Sequence, residues 1–482
     1  MLYNSSYNSI KGDITTIFCR GDVMDKQKEK AKLLGEKPIG KLLLQFSIPA
    51  IIGMMVNALY NIVDRIFIGR GVDGRAIGGI YVSMPMSLIL MAFSMLIGIG
   101  GNTLVSIRLG QNRKEDADKI ASNAIVLLAL ISSIIAITGL IFLEPLLKLF
   151  GASESNLNYA MDYLRIILIG APLQAIGFGM NNFIRGEGSP RIAMITMLIG
   201  AILNTILDPI FIFIFNMGVK GAALATIISQ AVSAIWVMNY FLSGKSMLTI
   251  KKEYLKLNFT IFKEIVSIGF SPFSMQLAAS MVTVLLNTNL QKYGGDLATS
   301  SMGVINSITM MILMPIFGIN QGSQPIVGFN YGAKKYHRAK KTLKYAIFGA
   351  TSITVLGFLL TQLFPEKIIR LFITDAADLA ELLKIAVPGM KIYLSMLPIV
   401  GFQVVSAAFF QATGKPKHSM FLSLSRQVLI LIPSLTILPR FFDLKGVWLA
   451  GAVSDFISSL ITGIFLLIFL KRLDEGKNNN II

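Results

Sequence analysis

The chain has 482 residues, of which 54% are hydrophobic and 15% are charged, and its mean hydropathy is +0.67. Soluble domains carry about 25% charged residues. The apolar residues here form runs of roughly 20, the length that crosses a bilayer as a helix. The composition therefore excludes a soluble globular protein and predicts a polytopic membrane protein.

The net charge of +18 is distributed unevenly along the chain. If the apolar runs are membrane spans, 30 of the 44 lysines and arginines lie on the side that carries both termini and 12 on the other side, while Arg65 and Arg426 lie inside spans. This is the positive-inside bias, which predicts cytoplasmic termini. The bias accounts for the basic charge without a nucleic-acid partner, and we expect none.

A polar tail, residues 1–38, precedes the first apolar run. It holds the only cysteine, Cys19, which excludes intramolecular disulfides and a cysteine metal cluster. The tail lacks the apolar core of a signal peptide, so we expect the first span to direct insertion. Met1 and Met24 are both candidate start residues.

Twelve apolar segments follow the tail in chain order, and each is long enough to cross about 30 Å of hydrocarbon as a helix. We predict spans at 40–68, 76–107, 119–143, 160–184, 191–215, 221–243, 263–291, 297–327, 341–364, 385–412, 418–440 and 446–470. A basic stretch divides them into an N-lobe at 39–244, a cytoplasmic linker at 245–262 and a C-lobe at 263–471. A cytoplasmic tail at 472–482 ends the chain.

The two sets of six spans repeat one another at an offset of 222 to 226 residues. The matching positions are Pro49 with Pro272, Gly110 with Gly332, Pro190 with Pro416, and Gly221 with Gly446. Because six is even, both sets enter the membrane in the same direction. The fold class predicted is therefore an all-α membrane protein with two six-helix lobes in a parallel repeat, as in transporters that move two bundles around a central cavity.

Acidic side chains inside spans are the strongest candidates for function, because a charge in hydrocarbon costs at least ~2.5 to 3.5 kcal/mol. In the first span, Asp64 follows Asn57, Tyr60 and Asn61 at the spacing that places all four on one helix face. Such a polar stripe faces the bundle or water rather than lipid.

A second acid lies in the fifth span, where Asn204 and Asp208 are four residues apart and share a face. Carboxylates among amide and hydroxyl oxygens suit Na⁺, or a proton held between like charges. The alternative is a pair of polar anchors between the first and fifth spans. In the sequence repeat, Asn287 is the counterpart of Asp64 and Ser434 is the counterpart of Asp208. Because neither counterpart is acidic, the repeat favours ion binding in the N-lobe alone.

The remaining intramembrane polar residues are weaker candidates. Asp455 corresponds to Gln230, and we interpret it as a structural polar contact rather than a second ion site. Arg426 is either a cavity or gate contact or a side chain that snorkels to the cytoplasmic surface. The abundant methionines fill the core or line a cavity that repacks around different ligands. Candidate cavity contacts are Asn57, Asn61, Met84, Gln276, Asn287 and Arg426.

Enzyme motifs are absent from the sequence. Gly244-Lys245-Ser246 resembles the end of a phosphate-binding loop, but Asn239 replaces the required glycine. There is no HExxH or GxSxG motif, and neither histidine lies in the interior of a span, since His337 precedes one and His418 stands at the first residue of another. We therefore expect no enzyme, no ATP-driven pump and no cofactor besides a coupling ion.

Several runs together resemble the multidrug and toxic compound extrusion (MATE) family, and within it the bacterial MepA-like and DinF-like members. The resemblance covers about residues 38–470. It is carried by Pro49 and by the runs Ala58–Gly69, Arg185–Pro190 and Asn204–Pro209.

The resemblance implies cation-coupled efflux of organic, often cationic and amphipathic compounds through a V-shaped pair of lobes in the cell membrane. It implies that Pro49 is the point at which the first helix bends. A second branch of the family carries acids within spans seven and ten, whereas the acids of this chain lie only at the edges of those spans, at Glu264, Asp378 and Glu381. The implied N-lobe pocket for H⁺ or Na⁺ comprises Tyr60, Asp64, Asn181, Asn204, Asp208 and Thr226, all but Tyr60 being candidate Na⁺ ligands.

Two other functions fit parts of the pattern. A lipid or oligosaccharide flippase of the same superfamily would share the repeat but should prefer a strongly cationic cavity. An intramembrane enzyme or channel would need a catalytic constellation or an open pore, which the sequence does not favour. We expect a monomer, since the spacing of Gly318 and Gly322 is only weak evidence of association.

Overall fold

The computed structural model describes residues 32–71, 74–150, 152, 154–371 and 379–474, with the backbone alone at 57, 58, 60–66, 68–71, 74–79, 81, 155, 156, 296, 379 and 474. Within these ranges the chain is helical and contains no strand. Eleven of the described helices are long and apolar enough to cross a membrane, and one bent pair makes a twelfth span. The predicted all-α polytopic fold is confirmed.

We number the spans α1 to α12. They are α1 Ile39–Gly71, α2 Gly74–Gly110, α3 Lys114–Ile141, α4 Glu154–Gly186, α5 Pro190–Ile214, α6 Gly218–Leu242, α7 Phe259–Gly295, α8 Leu297–Gly332, α9 Tyr336–Leu363, α10 Leu379–Tyr393 with Leu397–Ala412, α11 Pro416–Ile437 and α12 Pro439–Asp474. Short helices Leu143–Leu149 and Pro365–Arg370 lie between α3 and α4 and between α9 and α10.

The tenth span differs from its prediction as one continuous segment at 385–412. Its two helices, Leu379–Tyr393 and Leu397–Ala412, meet at an angle of 50°. Pro398 stands in the first turn of the second helix, where a residue without a backbone N–H is tolerated but cannot continue a preceding helix. The proline thus separates two helices within an apolar stretch that hydropathy alone treats as one.

One hydrophobic core joins the two halves at the end of the molecule formed by the loops after α2, α4, α6, α8 and α10, which we call the basic end. Buried side chains from both halves share this core, among them Phe46 on α1, Val105 on α2, Ile265 on α7 and Ile326 on α8. Toward the opposite end the halves have separate cores, one around Leu164 and one around Met390. The described residues therefore form a structure closed at the basic end and divided at the other.

Close helix packing closes the basic end. A Cβ on Gly269 of α7 would lie 1.8 Å from the backbone oxygen of Leu96 on α2, and one on Gly100 of α2 would lie 2.3 Å from the backbone oxygen of Ile265. Only glycine permits this approach between the halves. Gly318 and Gly322 on α8 similarly face α1 of the same chain, at Ile51 and Ser47.

The segment between α6 and α7 is attached to the N-terminal half. The backbone N–H of Thr249 donates to Oδ1 of Asp118 at 2.8 Å, and the backbone N–H of Asn258 donates to Oδ1 of Asn123 at 2.8 Å. Asn258 also caps α7, because its Oδ1 accepts from the backbone N–H of Thr260 at 2.9 Å. These hydrogen bonds hold the segment between α6 and α7 against the N-terminal half as far as the first turn of α7.

Candidate functional site

A buried carboxylate lies near the end of α5, away from the basic end. The side chain of Asp208 is fully buried, and Asn204, one helical turn earlier, is 2% exposed. Nδ2 of Asn204 donates to Oδ1 of Asp208 at 3.1 Å. The spacing of four residues places both groups on the same face, as the sequence predicts.

Thr226 on α6 completes a polar cluster with this pair. Nδ2 of Asn204 lies 3.5 Å from Oγ1 of Thr226, which in turn donates to the backbone oxygen of Ala222 at 3.0 Å. Oδ1 of Asn204 is buried and accepts no hydrogen bond from the residues that the structure describes. The amide nitrogen of Asn204 thus brings a carboxylate and a hydroxyl together, and carboxylate, amide and hydroxyl oxygens are the ligand types that bind H⁺ or Na⁺.

The helix changes form immediately after the acid. Pro209 ends the α-helical part of α5, and residues Ile210–Ile214 continue as a π-helix. Proline cannot donate the usual backbone hydrogen bond, and the wider turn that follows accommodates this loss. Short π-helical segments are frequent at functional sites because they change the direction of side chains and carbonyls.

Span α1 lies against this part of α5. A Cβ on Gly53 of α1 would lie 2.9 Å from the sulfur of Met197 on α5, and the rings of Phe67 and Phe213 contact edge to face at 6.3 Å. Asp64 stands three residues before Phe67, and Asp208 stands five residues before Phe213. The backbone of α1 at Asp64 is therefore about level with Asp208.

The side chains of the predicted first-span stripe, Asn57, Tyr60, Asn61 and Asp64, lie outside the described residues. Pro49 lies inside α1, which continues past it as one helix from Ile39 to Gly71. The bend expected at Pro49 is thus a prediction about another state of the molecule.

Asn181 does not join the cluster with Asp208, although the resemblance placed it there. Its Nδ2 donates to the backbone oxygen of Ala193 at 3.0 Å, and its Oδ1 accepts from Nη1 of Arg185 at 3.1 Å. Ala193 is fifteen residues before Asp208, about 22 Å along a helix. Asn181 is far from Asp208 because a short turn joins the antiparallel helices α4 and α5. This turn places the end of α4, which carries Asn181, beside the start of α5, whereas Asp208 lies near the end of α5.

The predicted cavity contacts are spread over both halves. Met84 on α2 is exposed, and Gln276 and Asn287 on α7 are half-buried. Ser434, the counterpart of Asp208, follows the second π-helical segment, Ser425–Leu431, in α11. Contact of these residues with a transported compound stays a prediction.

The polar contact expected of Asp455 is an ion pair with Arg426. Nε of Arg426 on α11 donates to Oδ1 of Asp455 on α12 at 2.6 Å. Arg426 lies ten residues after the start of α11, about 15 Å from it, which is too deep for a side chain that snorkels to the surface. The sequence identified both residues but not their pairing.

Comparison with known proteins decides the family. The MatE family model matches the chain twice, at residues 49–210 and 272–436. The chain belongs to the MatE family. The two matches begin at Pro49 and Pro272 and end 226 residues apart, which confirms the predicted repeat of the two halves. MatE-family membership also confirms the resemblance carried by the sequence motifs.

Relatives of the MatE-family chain include bacterial multidrug exporters. The multidrug export protein MepA of Staphylococcus haemolyticus (strain JCSC1435) is 28% identical over 442 residues, which cover 92% of this chain and 96% of that protein. MepA of Staphylococcus aureus (strain N315) is 29% identical over 437 residues, covering 91% and 95%.

Solved MATE structures share the whole fold. A multidrug resistance MATE family transporter in an outward-facing conformation has a TM-score of 0.86 and 26% identity, covering 92% of this chain and 98% of that chain. A MATE transporter in a straight conformation has a TM-score of 0.86 and 26% identity, covering 92% and 99%. A MATE structure in a bent conformation has a TM-score of 0.86 and 25% identity, covering 93% of this chain and 98% of that chain. The chain is thus a multi-pass membrane protein of a transporter family.

Proposed function

We propose that this protein exports organic, amphipathic and often cationic compounds across the cell membrane in exchange for H⁺ or Na⁺. The observation that carries the proposal is Asp208, a fully buried acid inside a span that is hydrogen bonded to Asn204. A permanently charged carboxylate at this position would be costly, so a cation that neutralises it is expected. The relatives named as multidrug exporters support the nature of the cargo.

The polar cluster suits either ion. A proton on Asp208 would become a donor, and the buried Oδ1 of Asn204 would accept it after the amide rotates. A Na⁺ ion would instead be held by oxygens of Asp208, Asn204 and Thr226. Asp64, level with Asp208 on α1, supplies the second carboxylate in this proposal. Asn181 is not included, because its amide is bonded elsewhere.

Coupling to transport follows from the contact between α1 and α5. Loading the cluster removes negative charge from the part of α5 that lies beside α1 and alters the preferred distance between these two helices. Pro49 interrupts the hydrogen bonds of α1, so the part of the helix beyond it bends at low cost. Exchange requires only that the cation and the cargo favour different states of the bundle.

The basic end is cytoplasmic in this proposal, so the divided end faces the outside. The N-lobe is residues 39–244, the linker 245–262 and the C-lobe 263–471, and the two lobes move relative to each other. The exporter acts as a monomer and uses neither ATP nor a cofactor. The outward-facing relative with the same fold supports this assignment of sides.

The test is ethidium efflux from proteoliposomes under a Na⁺ gradient and, separately, a pH gradient. We expect one gradient to drive efflux by the wild type and Asp208→Asn to reduce that efflux at least tenfold. Asp162→Asn is the matched control, because Asp162 is only partly buried and pairs with Lys220 at 3.3 Å near the divided end. This control should retain wild-type efflux.

Two outcomes contradict the proposal. Undiminished gradient-driven efflux by folded Asp208→Asn would exclude this carboxylate from coupling. Failure of both gradients to move dye through folded wild-type protein would show that the cargo is not a multidrug-type cation.

A further inference from the structure

The ion pair between Arg426 and Asp455 has no role in the cation exchange proposed above. It lies at mid-membrane depth in the C-terminal half, where charged side chains are rare and usually functional. The Arg426 side chain is 30% exposed and the Asp455 side chain 11%. Part of the Arg426 side chain is therefore accessible, and it lines a cavity, while its carboxylate partner is nearly enclosed.

The local helix geometry fixes Arg426 in place. Arg426 lies in the π-helical segment Ser425–Leu431, whose wider turns leave carbonyl groups without their usual partners. Oγ of Ser454 donates to the backbone oxygen of Arg426 at 2.6 Å. The neighbouring residue on α12, Asp455, bonds its side chain. Two adjacent residues thus position both the backbone and the side chain of Arg426.

The described residues use only a small part of the hydrogen-bonding capacity of the Arg426 side chain. A guanidinium carries five N–H donors. Only Nε is hydrogen bonded to a residue that the structure describes, so the four N–H groups of Nη1 and Nη2 are available. Their planar arrangement matches a carboxylate, which binds through two parallel hydrogen bonds.

The repeat shows that the fold does not require this ion pair. At the local offsets of 226 and 225, the counterparts of Arg426 and Asp455 in the N-terminal half are Gly200 and Gln230. Conversely, Ser434 replaces Asp208 in the C-terminal half. The two halves therefore carry different charged groups at different positions of a common scaffold, which points to different ligands.

A small cavity adjoins the pair. It measures about 30 Å³ and includes Thr309 of α8 and Tyr393 at the break of α10, together with apolar side chains such as Leu313 and Leu397. One water needs ~10 to 15 Å³ by the same measure, so the cavity has room for roughly two or three non-hydrogen atoms. A carboxylate has three non-hydrogen atoms and so matches this space.

We propose that Arg426 binds the carboxylate of anionic or zwitterionic amphipathic cargo, while the apolar side chains around the cavity contact the adjacent part of the molecule. This inference rests on the proposed export function and extends its cargo from cations to carboxylate-bearing compounds. Asp455 orients the guanidinium through Nε and leaves Nη1 and Nη2 to the ligand. The alternative is that the pair only connects α11 to α12.

The test compares two dyes that differ only at one carboxylate. Rhodamine 110 is a zwitterion with a free carboxylate, and rhodamine 123 is its methyl ester. In proteoliposomes under the driving gradient, we expect Arg426→Gln to lower rhodamine 110 efflux about tenfold or more, the effect of losing one charge-assisted pair. Rhodamine 123 efflux should change less than about twofold.

Further variants separate binding from folding. Arg426→Gln leaves Asp455 buried without a partner, so the double variant Arg426→Gln with Asp455→Asn removes both charges together. The double variant should show the same selective loss. Arg426→Lys keeps the positive charge but removes the planar arrangement of Nη1 and Nη2 donors. This variant should therefore show a partial reduction in rhodamine 110 efflux. Arg440→Gln, at an exposed arginine at the start of α12, is the control.

The outcomes are distinct from those that test export itself. If the folded double variant moves both dyes at wild-type rates, or loses both equally, Arg426 does not recognise the carboxylate. If the wild type moves neither the rhodamines nor ethidium, the export proposal fails, and fluorescence polarisation of the rhodamines with detergent-solubilised protein still tests the site. Equal affinity of wild type and double variant for rhodamine 110 would then overturn the inference.

Discussion

The acid in the fifth span shows how much a local pattern determines. Asn204 and Asp208 are four residues apart in a helix, so their hydrogen bond follows from the sequence. The contact with Thr226 requires α6 to pack beside α5, which was implied only by family resemblance. Asn181 shows the limit of that resemblance, because the helix turn after it directs its amide to Arg185 and Ala193.

Glu187 is a buried acid that sequence reasoning did not single out. It lies between α4 and α5, is fully buried, and accepts hydrogen bonds from the hydroxyls of Tyr240 and Ser246 and from the backbone N–H of Met247 at 2.7 Å. Its place between two glycines in a turn between spans was the available signal. Its hydrogen bonds connect three chain segments at the basic end.

Replacing Glu187 by Ala should destabilise the protein. The substitution leaves several buried donors without an acceptor, which costs on the order of 2 kcal/mol or more. We expect a fall of several degrees in the midpoint of thermal denaturation in detergent. Glu253→Ala, at an exposed residue that pairs with Lys251, is the control and should leave the midpoint unchanged. Equal midpoints for the two variants would contradict the structural role of Glu187.

At the scale of elements, hydropathy predicted where spans lie but not where they break. The structure divides the tenth span just before Pro398, continues α5 as a π-helix after Pro209, and kinks α12 at Asp443 with φ of 49°. Helices also extend past the apolar runs, as α9 does by beginning at Tyr336. Hydrogen bonding within a helix continues into polar sequence, whereas hydropathy marks only the segment that lipid would cover.

The close packing of α7 on α2 makes Gly269 sensitive to any side chain. We expect Gly269→Ala to lower the midpoint of thermal denaturation, since the added Cβ meets backbone that cannot yield and overpacking costs about 1 to 3 kcal/mol. Gly303→Ala on α8 is the matched control, because a Cβ there meets no atom of the described residues within 4 Å. If both alanines are tolerated equally, the two helices do not pack this closely.

At the scale of the whole molecule, the hydrophobic cores define the state of the transporter. A shared core and an ion pair between Arg108 and Glu264 at 3.1 Å close the basic end across the two halves. The separate cores toward the other end leave the halves free to part there. Alternating access would require the shared core to open.

The sides of the membrane can be assigned by labelling single cysteines in a Cys19→Ser background. A cysteine replacing Lys367, exposed between α9 and α10, should react with a membrane-impermeant maleimide on intact cells. A cysteine replacing Lys256, exposed between α6 and α7, should react only after permeabilisation. Labelling of position 256 on intact cells, with 367 protected, would reverse the proposed orientation.

The sequence by itself determined the membrane environment, the number of spans, the repeat and the acid in the fifth span. These follow from composition, hydropathy and helical spacing, which act over one helix at a time. Only the tertiary structure decided that Asn181 lies apart from Asp208, that Arg426 pairs with Asp455, and that the halves join at one end. Such contacts join helices far apart in the chain, and they depend on helix packing and on breaks in helices that local sequence patterns do not specify.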